Sequence, residues 1–344
     1  MTTPATAPPS RLRRLAALGP GLALATALAL AGWLLQRAEE ALLGHGVVEA
    51  LVLALLLGVV VRTLWTPGPR WEPGTRFAGK GLLEAAIVLL GASVDLPTLL
   101  RAGELLLAAV VAVVLVGLVG GYGLGRLLGL NPRLAALVAV GNAICGNSAI
   151  AAVAPIIEAE REDVARAIAF TAVLGVAVVL GLPLLVPLLG FAEYEYGVLA
   201  GMTVYAVPQV LAATFPVGRL AGEVGTLVKL VRVLLLGPVV VFFTLRRGQI
   251  GTRRLETGRF VPWFVAGFLA LAAARSLGVI PADVAGPVRE VSRAMTIVAM
   301  AALGLGVDVR EVGRAGGRTA LAVTGSLAMM IAAGAALIVY LGIG

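Results

Sequence analysis

The sequence predicts an all-α polytopic membrane protein, with about nine spanning helices plus two broken or re-entrant segments arranged as an inverted repeat. Three observations predict it. Apolar residues make up 60% of the 344 and charged residues 13%, whereas soluble domains carry about a quarter charged. Several windows of about 18 residues or more hold almost no charge, the length that crosses a hydrocarbon core. Stretches of the chain also match one another, charges included, at fixed offsets.

The same composition narrows the function. In a chain this apolar the net charge of +8 sets orientation in the bilayer and does not imply a nucleic-acid partner. A single cysteine excludes an intrachain disulfide, and His45 alone cannot build a histidine metal cluster. No cofactor, metal or enzymatic activity is expected: a membrane-embedded enzyme would need a nucleophile with its base, or a ligand set.

Nine apolar stretches read as spans: about 19–35, 47–61, 78–94, 104–126, 164–189, 222–244, 261–278, 288–307 and 316–342. The first follows the basic head Arg11–Arg14 and resembles a signal sequence, but more spans follow, so a first transmembrane helix fits better. Two further segments, 134–157 and 196–216, are each interrupted at the middle, by GNAICGNS and by TVYAVPQV. Each half would reach roughly 16 Å at about 1.5 Å per residue, half of a hydrocarbon core. With a cytoplasmic N-terminus and both segments re-entrant, nineteen Lys and Arg fall on the cytoplasmic side against five outside, leaving Lys229, Arg232 and Arg293 within the spans. If both segments crossed instead, the charge-bearing 158–166 would move outside and 190–195, which lacks Lys and Arg, would move inside. The positive-inside rule therefore favours re-entry. It places 246–259 in the cytoplasm as well.

The chain reads as a single membrane transporter domain over 1–344, with 76–126 matched to 289–342 and 134–189 matched to 196–244. At an offset of 213, Arg76 falls on Arg289, Lys80 on Arg293, Gly91 on Gly304, Asp95 on Asp308 and Arg101 on Arg314. At an offset of 60, Gly141 falls on Gly201 and Asp163 on Glu223. Matched pairs start on opposite sides of the membrane, which is the inverted arrangement of secondary transporters.

Irregular backbone at membrane depth is tolerated where protein or a watery cavity surrounds it, so the two breaks are the candidate binding site. Asn142, Asn147 and Ser148 offer amides and a hydroxyl there, with Cys145 and Gly146 at the tip. These groups also suit helix capping. Thr203, Tyr205 and Gln209 are the polar set of the second break, where Pro208 prevents a regular helix. Lys229 and Arg232 share one face of an apolar helix. Intramembrane cations mark function, unless they snorkel to the interface. Lys80 and Glu84 share a helix face as a candidate ion pair. Asp95 and Asp308, with Arg101 and Arg314, are read as helix-end capping and loop closure.

Pro73–Lys80, Ile144–Gly146, GMTVYAVPQVLAA at Gly201–Ala213, LVKLVRVLLLGPVV at Leu227–Val240 and MAALGLGVD at Met300–Asp308 resemble the YeiH-like family. Its members are described in general terms as sulfate exporters and include proteins linked to taurine breakdown. The resemblance covers roughly 50–344 and groups the chain with the wider set of bile-acid symporters and cation–proton antiporters. It implies alternating access by elevator-like movement of a core domain. One departure stands out: many relatives carry His-Glu where this chain has Tyr205-Ala206, so a titratable pair is missing from that tip.

Together these features lead to an expected secondary active transporter of a small anion, exporting sulfate or a related oxyanion or sulfonate. The alternatives are a cation–proton antiporter or a sodium-coupled organic anion symporter. The expected partners are the anion, the lipid bilayer, a coupling ion (H+ or Na+) and a second copy in a homodimer. The expected location is the cell (inner) membrane, multi-pass, with the N-terminus cytoplasmic.

Overall fold

A computed structural model describes residues 11–43, 48–94, 103–246, 262–308, 310 and 316–344. All the regular elements among them are helical. In chain order these are α1 (Arg11–Leu43), α2 (Ala50–Leu64), α3 (Glu72–Phe77), a π-helical turn (Ala78–Leu82), α4 (Leu83–Gly91), α5 (Gly103–Leu127), α6 (Pro132–Ala143), α7 (Asn147–Val153) and α8 (Arg161–Gly181). A 3-10 turn (Leu182–Leu185) leads to α9 (Val186–Leu189), α10 (Glu193–Thr203), α11 (Val207–Thr214), α12 (Arg219–Leu234), α13 (Leu236–Arg246), α14 (Trp263–Ser276), α15 (Ala282–Leu305) and α16 (Gly317–Leu341). Asp95, Arg101, Arg314, His45 and most of 246–259 lie outside the described residues.

Each of the nine expected spans coincides with helix, with shifted ends. Five stretches are long and apolar enough to cross a membrane: Ala16–Leu43, Gly103–Leu127, Arg161–Leu189, Arg219–Arg246 and Gly317–Leu341. Ala50–Leu64 and Trp263–Ser276 are shorter apolar helices. The expected start at 78 moves back to Glu72, because Pro73 sits in the first turn, where its missing N–H leaves no bond unmade. The expected span 222–244 is two helices joined at Leu235.

The chain forms two compact units. In one, Met1–Ala86 with Arg293–Gly306, helices meet at glycines. A Cβ at Gly304 would lie 2.2 Å from Leu55 O, and one at Gly58 would lie 2.4 Å from Ala301 O. Arg293 donates to Glu49 at 2.9 Å.

The other unit, Ile87–Ser292 with Val307–Gly344, holds both interrupted segments, and both are hairpins. The first begins at Asn131, whose side chain caps α6 by accepting from Leu134 N–H at 2.8 Å. The same side chain donates to Asp163 at 2.9 Å, and Arg133 pairs with Glu160 at 3.7 Å. The two ends of this segment therefore meet. Near the turn, a Cβ at Gly141 would lie 3.0 Å from Ile150 Cδ1, so α7 folds back along α6. The second hairpin closes likewise: Glu193 accepts from Leu220 N–H at 3.0 Å, and Tyr196 OH donates to Ala213 O at 2.8 Å.

Between the two hairpin bases runs Arg161–Leu189, 29 residues long, which spans about 43 Å at about 1.5 Å per residue. The bases thus lie at opposite ends of a membrane-length rod. Both hairpins are followed by a long helix that is interrupted further on, at Leu182–Leu185 and at Leu235.

Two outcomes follow. Cysteines placed at the exposed Glu160 and Glu193 on a Cys145→Ser background will react with impermeant maleimide from opposite faces of the membrane; labelling from one face would refute the double hairpin. Gly304→Val will destabilise the protein by about 1–3 kcal/mol or more through overpacking, read as a lower melting temperature in detergent.

Candidate functional site

The site begins with two helices that stop short. Helix α6 ends at Ala143, and Gly146, at φ +62° and ψ −126°, turns the chain before α7. That left-handed φ favours glycine over a residue with a Cβ. Helix α10 ends at Thr203, and Pro208, in the first turn of α11, could not donate inside a continuous helix. Each stop leaves backbone carbonyls without intrahelical partners, at the partly negative end of a helix dipole.

Lys229 and Arg232, one turn apart on α12, answer both sets of carbonyls at once. Lys229 Nζ donates to Ile144 O of the first hairpin and, at 2.8 Å, to Val204 O of the second. Arg232 donates from all three of its nitrogens: Nε to Ala143 O at 3.0 Å, Nη2 to Asn142 O at 2.7 Å, and Nη1 to Gly201 O at 3.1 Å and Val204 O at 3.2 Å. Both side chains are 0% exposed; they do not snorkel. The backbones come this close because α10 presents glycines to α12: a Cβ at Gly201 would lie 2.6 Å from Gly225 O, and one at Gly197 would lie 2.7 Å from Ala221 O.

Among the described residues no carboxylate pairs with either cation. Glu223, on the same helix, lies 3.1 Å from Arg219. Neither 134–157 nor 196–216 contains an Asp or Glu.

The predicted residues divide into a buried joint and an accessible rim. Asn142, Thr203, Tyr205, Lys229 and Arg232 are buried. Asn142 Nδ2 donates to Val323 O of α16 at 2.9 Å, while among the described residues its Oδ1 has no partner, and neither has the Tyr205 hydroxyl. Thr203 gives its hydroxyl proton to Leu199 O in its own helix at 2.7 Å. Asn147 and Ser148 are exposed, and Cys145 and Gln209 are half-buried. The tips touch, since a Cβ at Gly146 would lie 3.5 Å from Tyr205 Cβ.

Helix α8 contributes two residues that the sequence did not single out. Thr171 Oγ1 lies 2.7 Å from Asn147 Oδ1. One turn on, Gly175 leaves room for Gln209, whose Nε2 would be 2.2 Å from an added Cβ. Gln209 Oε1 accepts from Ala206 N–H at 3.2 Å; a backbone N–H can only donate, so the amide orientation is fixed with its NH2 group over Gly175. Thr171 and Gly175 sit near the middle of the 29-residue rod, and both hairpin tips reach that level. The available signal was a threonine and a glycine at four-residue spacing in the apolar run AFTAVLG, which alone reads as ordinary helix packing.

Relatives of the chain are membrane proteins. It is 53% identical to a UPF0324 membrane protein of Bradyrhizobium diazoefficiens over 98% of this chain and 97% of the relative. It is 49% identical to one of Agrobacterium fabrum over 93% of this chain and 92% of the relative, and 36% identical to one of Bacillus anthracis over 79% and 81%. No solved structure matches it. The family described as conserved hypothetical protein 698 matches residues 20–323, and the chain belongs to that family, the UPF0324 membrane proteins.

Proposed function

We propose that the protein is a secondary active transporter of a small anion, exporting sulfate or a related oxyanion or sulfonate by alternating access. One observation carries this reading: two fully buried cations, with no carboxylate beside them among the described residues, at the point where two hairpin tips meet. Two helix carboxyl ends together supply about one negative charge. Two cations therefore leave about one positive charge uncompensated in a low-dielectric region, where an uncompensated charge is costly. An anion at the rim would neutralise it.

The rim suits that ligand. Ser148 is exposed and the Gln209 NH2 group is held in place, so donors are available to replace lost hydration. Lys229 and Arg232 act on the anion chiefly through their field, most of their own donors being given to carbonyls. Cation–proton antiport calls for a buried acid, which neither hairpin supplies. The reading locates the chain in the cell membrane with its N-terminus cytoplasmic, in keeping with the distribution of Lys and Arg.

Purified protein in liposomes loaded with sulfate will take up labelled sulfate in a saturable manner accelerated by internal anion. Uptake without saturation or counter-stimulation would point to a channel, and no anion-dependent flux or thermal shift with sulfate, sulfite, taurine or small carboxylates would refute the reading. Gly175→Ala will push the Gln209 amide aside and weaken anion binding about tenfold or more, the worth of one hydrogen bond to a charged ligand. Unchanged affinity would remove Gln209 from the site.

A further inference from the structure

The carbonyls that Lys229 and Arg232 hold have a second meaning. Carbonyl oxygens at unwound helix ends are the ligands with which transporters bind a coupling alkali cation. Here such oxygens come from both hairpins, and the position facing Ile144 O and Val204 O is filled by the Lys229 ammonium. An ammonium is a monovalent cation of about the size of potassium, and this one is attached to the chain.

We propose that the Lys229 ammonium is a tethered substitute for a free coupling cation, so that this hairpin junction is a monovalent-cation site with its ion built in. Shortening the side chain opens a site for ammonium, methylammonium, potassium or sodium. The site is fully buried, its oxygens come from two separate hairpins, and Lys229 has no carboxylate to pair with among the described residues. A bound cation there does what a coupling ion does, holding the two tips together. With the ion tethered, the tips are joined whatever the sodium concentration. The consequence for transport rests on the anion-transporter reading: flux is independent of sodium, which sets aside the sodium-coupled symporter.

The test is thermal stability of the full chain in detergent, in chloride salts of sodium, potassium, ammonium, methylammonium and, as a cation too large to enter, choline. With the anion held constant, anion binding does not affect the comparison. The wild type will melt at the same temperature in every salt. Lys229→Ala, which orphans Ile144 O and leaves Val204 O to Arg232 alone, will melt about 2–4 °C lower in choline and regain most of that loss in at least one small cation, with saturation. A variant equally unstable in every salt, or one with no loss, would overturn the proposal. Should Lys229→Ala fail to survive extraction, the wild type decides: loss of stability or of anion flux when sodium is replaced by choline overturns the proposal, and sodium independence upholds it. Absence of anion flux under every condition would instead count against the transport reading alone.

Discussion

The capping of two helix carboxyl ends by one pair of cations is the constraint on which the hairpin unit depends. A hairpin that stops at mid-membrane leaves carbonyls that water cannot reach, and each unmade bond there costs about 1–3 kcal/mol or more. Lys229 and Arg232 satisfy the ends of α6 and α10 together. Neither hairpin tip is complete without α12, and α12 could not hold two buried cations without both tips. The mutual dependence explains why the chain carries charge where an apolar residue would be cheaper to insert.

The same arrangement divides labour within the site. Cations with most of their donors directed at carbonyls are fixed in space, which makes them a steady source of positive potential. On the proposed reading, contact with an anion falls to Ser148 and to the amides of Asn147 and Gln209 at the rim. Helix α8 serves as the common rest for both tips, through Thr171 and Gly175. A movement of this unit would carry the tips, their cations and the rim as one body.

Much of this was legible in the sequence. The spans followed from hydropathy, the breaks from Gly146 and Pro208, and the hairpin topology from the placement of Lys and Arg around two short loops. The meeting of the breaks followed from their matched lengths. The role of Arg232 was not legible: its partners Ala143 and Asn142 are 89 and 90 residues away, and sequence alone cannot separate a cation that touches a ligand from one that caps a helix. Thr171 and Gly175 escaped notice because small residues on an apolar helix usually signal packing. The π-helical turn at Ala78–Leu82 has no local sequence rule that marks it, and the ends of α1 ran past the apolar core because its flanks are helix formers.

The most direct test of the capping account is the thermal stability of Arg232→Met, which keeps the length of the side chain and removes its charge and donors. The account predicts a melting temperature lower by about 5–10 °C, from the orphaned carbonyls of Asn142, Ala143 and Gly201, with chain insertion unchanged. A variant that melts with the wild type would contradict it, because those carbonyls would then be satisfied without Arg232.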